Sequence, residues 1–107
     1  MTGCCQVTTT LPDRVVADQL AATLVEERLV ACAQVIGPAS STYWWKENVE
    51  RTSEWYCHMK TTMPMLPALK QRIRELHPYE VPELIALPVL DGDERYLRWI
   101  EESVRRQ

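Results

Sequence analysis

The chain has 107 residues, 46% of them hydrophobic and 25% charged, so residues 1–107 are read as one globular domain with its own core. A net charge of −3 gives no broad attraction to phosphate backbones or anionic lipid, which argues against nucleic acid and membrane surfaces as partners. No run approaches the roughly 20 apolar residues of a spanning helix, and Met1-Thr2-Gly3-Cys4-Cys5 carries neither a basic leader nor an apolar stretch. The expectation is a cytoplasmic protein whose four cysteines are free thiols.

Val7 to Thr9 is a short β-branched stretch that predicts a first strand. Thr10-Leu11-Pro12-Asp13 then reads as a helix start, with Thr10 capping the amide of Asp13 and Pro12 in the first turn. Val16, Leu20 and Leu24 recur at four-residue steps with Ala17, Ala21 and Val25 beside them, which gives that helix one apolar face. From Ala31 to Lys60 the helical period vanishes, and Val, Ile, Thr, Tyr and Trp surround a polar break at Lys46-Glu47-Asn48. This predicts a long hairpin. Its first arm runs from Gln34 to Trp45 with an interruption at Gly37-Pro38, and its second from Val49 or Trp55 to Lys60.

Leu66, Leu69, Ile73 and Leu76 define a second amphipathic helix that accepts Pro67 in its first turn and ends at His77-Pro78. Glu83 to Leu90 is an almost unbroken apolar run, as expected of a strand that is central or covered on both faces. Asp93 caps a last helix carrying Leu97, Ile100 and Val104, with Glu94 near its positive end and Arg105 and Arg106 near its negative end.

The order strand, helix, long hairpin, helix, strand, helix is that of an α+β, ferredoxin-like double βαβ with an antiparallel sheet, an extended hairpin and an extra C-terminal helix. Right-handed crossovers place the two main helices on one sheet face and leave the other bare. Hairpin arms of a dozen residues span some 40 Å at about 3.3 Å per residue, so they project beyond the domain. Tyr43, Trp44 and Trp45 near the projecting turn favour burial by a second chain, and homo-oligomerisation is the preferred reading.

Several strings resemble the CutA divalent cation tolerance family. They are Thr9-Thr10-Leu11-Pro12-Asp13, Arg28-Leu29-Val30-Ala31-Cys32-Ala33, Ser41-Thr42-Tyr43-Trp44-Trp45, His58-Met59-Lys60-Thr61, His77-Pro78-Tyr79-Glu80-Val81-Pro82-Glu83-Leu84-Ile85-Ala86-Leu87-Pro88-Val89 and Tyr96-Leu97-Arg98-Trp99-Ile100. The resemblance covers nearly the whole chain in order. It implies a homotrimer built like the PII signalling proteins, with clefts between subunits and a capacity to bind copper or another divalent cation. It implies no required cofactor and no reaction.

His77 is the metal candidate, because it matches the histidine before the Pro-Tyr pair and imidazole ligates borderline divalent ions. The bacterial copper-binding pattern it resembles adds a cysteine after the first strand and a second adjacent histidine, where this chain has Thr9 and Leu76. The competing reading of His77 is a helix-terminating imidazole hydrogen-bonded to a carbonyl. Cys57, His58 and Met59 are copper-compatible types, but alternate faces of a strand keep three adjacent side chains from converging. Cys4 and Cys5 read as incidental thiols near a loose terminus, and Cys32 as a small core residue at a strand start. Trp45, Lys60, Tyr79, Glu80 and Glu83 are candidates to line a cleft between subunits, or to form an interface ion-pair group.

With Gly3, Gly37 and Gly92 the only glycines, there is neither a P-loop nor a dinucleotide fingerprint, and no nucleophile sits beside a base. No catalytic residue is assigned. Two readings remain open: a trimeric protein that binds a divalent cation or small ligand, and a structural module whose trimer presents a partner-binding surface.

Overall fold

A computed structural model describes residues 2–105 as a four-stranded antiparallel sheet of order β2-β3-β1-β4 with three helices. The elements are β1 (Cys4–Leu11), α1 (Arg14–Glu26), β2 (Cys32–Trp45), β3 (Asn48–Thr62), a 3₁₀ turn (Met63–Met65), α2 (Leu66–Leu76), β4 (Leu84–Pro88) and α3 (Glu94–Ser103). This is the α+β, ferredoxin-like order expected from the sequence, with the extra helix at the end. Arg106 lies outside the described residues.

Alternation builds the core. Cys5, Val7, Thr9 and Leu11 of β1 and Cys57, Met59 and Thr61 of β3 share one face and are fully buried with Ala17, Leu20 and Leu24 of α1 and Leu69 and Ile73 of α2. The first strand is longer than the three residues that the β-branched stretch marks. It starts at Cys4, because Cys4 pairs with Thr62, and β4 joins at Cys5. Cys4 and Cys5 are therefore buried in the sheet, and the expectation of a loose terminal pair is corrected.

Capping also differs. Thr10 lies inside β1, and it is the Asp13 side chain that accepts from the Val16 amide at 2.9 Å, leaving Pro12 ahead of the cap. At the other end of the chain Asp93 caps α3 as expected, accepting from the Arg95 amide at 2.8 Å. Arg105 donates its backbone amide to the Arg28 carbonyl, and the Arg28 guanidinium donates to the Ser103 carbonyl, so α3 is tied at its end to the turn after α1.

The last strand is neither central nor covered on both faces. β4 is an edge strand of five residues, and Ile85 and Leu87 are 51% and 55% exposed. Their unbroken apolar run reflects a second sheet face that this chain covers only in part. α3 packs at one end of that face, where the Cys4 thiol lies 4.0 Å from the Leu97 carbonyl oxygen and the Cys32 sulfur lies 3.6 Å from the Tyr96 hydroxyl. The face is thus not wholly bare, as the two-helix reading had it.

The hairpin is continuous through fourteen and fifteen residues, closing at Lys46-Glu47, both of which have positive φ. At Gly37-Pro38 the ladder slips: Ile36 pairs with Tyr56, but Ala39 pairs with Glu54. One extra residue on β2 inverts which side chains face which side. Gly37 is required there, since a Cβ would stand 2.6 Å from the Trp55 ring.

Candidate functional site: an aromatic and acidic groove

The bulge decides the chemistry of the site. Beyond it Ser41, Tyr43 and Trp45 share a face with Glu54 and Tyr56 of β3, whereas an unbroken register would present Thr42 and Trp44 there. The loop after α2 stands opposite, because His77 leaves the helix with an extended backbone and Pro78 forbids another turn. Together these segments line a groove of about 890 Å³ with Thr10 and Glu54 at its floor and Tyr79, Glu80 and Glu83 on the loop side.

Two contacts fix the loop. The Tyr79 hydroxyl donates to Glu54 Oε2 at 2.9 Å. The Tyr79 amide donates to His77 Nδ1 at 3.1 Å, so the ring proton sits on Nε2, which donates to the Thr10 carbonyl at 2.7 Å. Burial lowers the His77 pKa below its ordinary value, with the Thr10 bond and the Glu54 charge opposing. Burial and the Glu54 carboxylate raise the Tyr79 phenol well above its usual range, so it remains a donor. Glu54 is only 7% exposed and has no lysine or arginine partner among the described residues.

Of the sequence candidates, Trp45, Tyr79, Glu80 and Glu83 come together along the groove. Lys60 does not join them. It pairs in register with Gln6 and Cys32, and its ammonium donates to Gln34 Oε1 at 2.9 Å. Glu54 was missed by sequence reasoning. The available signal was its even spacing with Tyr56, but its burial depends on Tyr79, twenty-five residues away.

The remaining thiol and imidazole groups do not form a ligand cluster. Cys57 and Met59 are buried in the core, while His58 is on the opposite face with Nδ1 2.9 Å from the Thr8 hydroxyl and its ring stacked on Tyr56. Burial pushes the Cys57 thiol up to about 11 and also raises Cys4 and Cys5, which favours the protonated thiol at all three. All four cysteines are free. Cys32 is half-buried at the sheet end, less enclosed than a core residue, and its sulfur pushes the Tyr96 phenol up to about 12.

Around His77 the donor set does not suit a copper ion. Both ring nitrogens are engaged within the chain, and the unpartnered buried side-chain oxygen among the described residues, Thr9 Oγ1, is a neutral hydroxyl. Among the described residues no three His, Cys, Asp or Glu side chains converge closely enough to hold a metal.

The fold and groove define a small α+β sheet protein with a concave surface lined by aromatic and carboxylate side chains. Residues 5–103 match the family model described as CutA1 divalent ion tolerance protein, and the chain belongs to that family. It is 43% identical over 94 residues to the "Divalent-cation tolerance protein CutA" of Thermus thermophilus, covering 88% of this chain and 91% of that one. It is also 43% identical over 93 residues to "Protein CutA" of Mus musculus, of which it spans 52%. Among solved structures, CutA1 from Oryza sativa superposes with a TM-score of 0.94 at 33% identity, with all of both chains covered.

Proposed function

We propose that the chain acts in divalent-cation tolerance in the cytoplasm as a homotrimer, and that the groove, completed by a neighbouring copy, binds a small ligand. The observation that carries this reading is the groove itself. Large aromatic side chains on the projecting hairpin, with Tyr43 39% and Trp45 38% exposed, line a space of small-molecule size together with a buried carboxylate. Apolar surface at Ile36, Ile85 and Leu87 on the partly covered sheet face supplies a second area for a copy of the same chain. The family description and the name of the Thermus thermophilus relative support the divalent-cation role.

Small-ligand binding is favoured over a tight copper site. A copper ion at His77 has to displace either the Tyr79 amide from Nδ1 or the Thr10 carbonyl from Nε2, and it finds Thr9 and Leu76 where thiolate and imidazole would chelate it. Native mass spectrometry of the reduced protein with copper, zinc and a metabolite extract tests both parts. A trimer mass with a retained small molecule is expected, and copper should bind no tighter than micromolar. A monomer mass rejects the assembly, and a nanomolar copper site abolished by His77→Ala rejects the preference for a small ligand.

A further inference from the structure

The groove lining contains three carboxylates, Glu54, Glu80 and Glu83, and no lysine, arginine or histidine. A buried carboxylate ordinarily has a cationic partner, since desolvating the charge costs several kcal/mol otherwise. Glu54 has instead one neutral donor, the Tyr79 hydroxyl, on Oε2. The charge that would balance it is missing from the described part of the chain while the space beside it is open.

The carboxylates are too dispersed for a hard inorganic cation, which gathers six or more oxygens about one point, and no three of them converge here. Aromatic rings complete the wall. Tyr43, Trp45 and Tyr79 line the groove, and aromatic rings attract alkylated ammonium ions whose charge is spread over a larger, weakly hydrated surface. Trp45 already acts in this way within the chain, since the Lys46 ammonium lies 5.6 Å from its ring centroid.

We propose that the groove binds a compact organic cation, an alkylammonium group held by the Glu54 carboxylate and by the rings of Trp45 and Tyr43. The inference rests on the small-ligand reading above and specifies the chemical class of the ligand. Glu54 supplies the charge complement, the aromatic wall discriminates an organic cation from a hydrated metal ion, and the Tyr79 bond holds the carboxylate in place. The bulge at Gly37-Pro38 is a positioning device for the site, because it sets Tyr43 and Trp45 on the groove side.

Isothermal titration of the 107-residue chain with tetramethylammonium and butylammonium chloride tests this, with 1-butanol and magnesium chloride at matched concentration and ionic strength as controls. Saturable binding with a Kd of about 1 mM or tighter is expected for the ammonium ions alone. Glu54→Gln preserves an acceptor for Tyr79 and should weaken binding by about tenfold or more, and Trp45→Leu by several-fold. Should Glu54→Gln fail to fold, Trp45→Leu carries the test with that several-fold loss. Equal binding of butanol or magnesium, unchanged affinity in the charge variant, or no saturable binding, as when a neighbouring copy fills the groove, overturns the proposal. Light scattering on the same samples reports the assembly separately, so a trimer without ammonium binding rejects the ligand class alone.

Discussion

The two halves of the hairpin are built from the same strands but held by different forces. From Tyr56 to Thr62, β3 alternates between half-buried side chains and ones sealed in the core, paired with β1 throughout and with β2 as far as Lys60. From Asn48 to Ser53 every residue is exposed, and the strand has β2 as its single neighbour. A two-stranded ribbon alone is marginal in water, yet this one carries Tyr43, Trp44, Trp45 and Val49. The inner half is stabilised by burial within one chain, and the outer half holds apolar surface in reserve for something else. That asymmetry is why the groove, which lies where the halves meet, combines a rigid floor with an aromatic wall.

Substitutions sharpen the contrast. Met59→Ala, in the sealed half, should cost about 2–5 kcal/mol of unfolding free energy by leaving a cavity that neither sheet nor helices can close. Chemical denaturation checks it; a loss below 1 kcal/mol would mean that the core collapses around the vacancy. At the junction, Gly37→Ala should cost about 1–3 kcal/mol, because its Cβ meets the Trp55 ring at 2.6 Å and the bulge must distort. Ligand affinity at the groove should fall with it, since Tyr43 and Trp45 depend on that register.

Thr9 gives a prediction of opposite sign. Thr9 of β1 pairs with Cys57 of the inner half and its hydroxyl is buried without a hydrogen-bond partner, so the near-isosteric Thr9→Val should raise stability by about 1 kcal/mol. A destabilised variant in thermal melts would point to a partner for the hydroxyl, such as an ordered water.

His77 links the halves through pH. Its folded pKa is lower than its unfolded value of roughly 6.5, so the unfolded chain binds the proton more readily. The contribution of the neutral ring is therefore present above that value and is lost as pH falls toward the folded pKa. His77→Gln should flatten the stability profile below pH 6.5 or so, and an unchanged profile assigns the acid sensitivity elsewhere.

The smallest effect belongs to the outer half taken alone. Trp44 is 74% exposed, so Trp44→Ala should change the stability of an isolated chain by no more than about 0.5 kcal/mol. In the proposed trimer the same change weakens assembly if a neighbour covers the ring. Concentration-dependent sedimentation separates the two outcomes and breaks the comparison if neither stability nor assembly responds.

Residue pattern made much of the fold legible. The four-residue steps from Val16 to Leu24, the spacing of Leu66, Leu69, Ile73 and Leu76, and the stop at His77-Pro78 each follow from local geometry, which sequence carries directly. The family strings carried Trp45, Tyr79, Glu80 and Glu83 into one candidate cleft, and the structure gathers these four into the groove. Lys60 stands in the same family strings, but strand register sends it toward Gln34.

What tertiary structure decided is where that local information meets across distance. The apolar run from Glu83 to Leu90 could not reveal that it forms an edge strand, because burial depends on which elements stack on a face and not on composition. Nor could Cys4 and Cys5 reveal their burial before Thr62 and Pro88 were paired beside them. Glu54 became a buried charge only when Tyr79 reached it, and the groove acquired its aromatic wall only through one extra residue at the bulge. Helices are written by neighbours three and four residues apart. A sheet face is written by register between distant strands, and a single inserted residue inverts it.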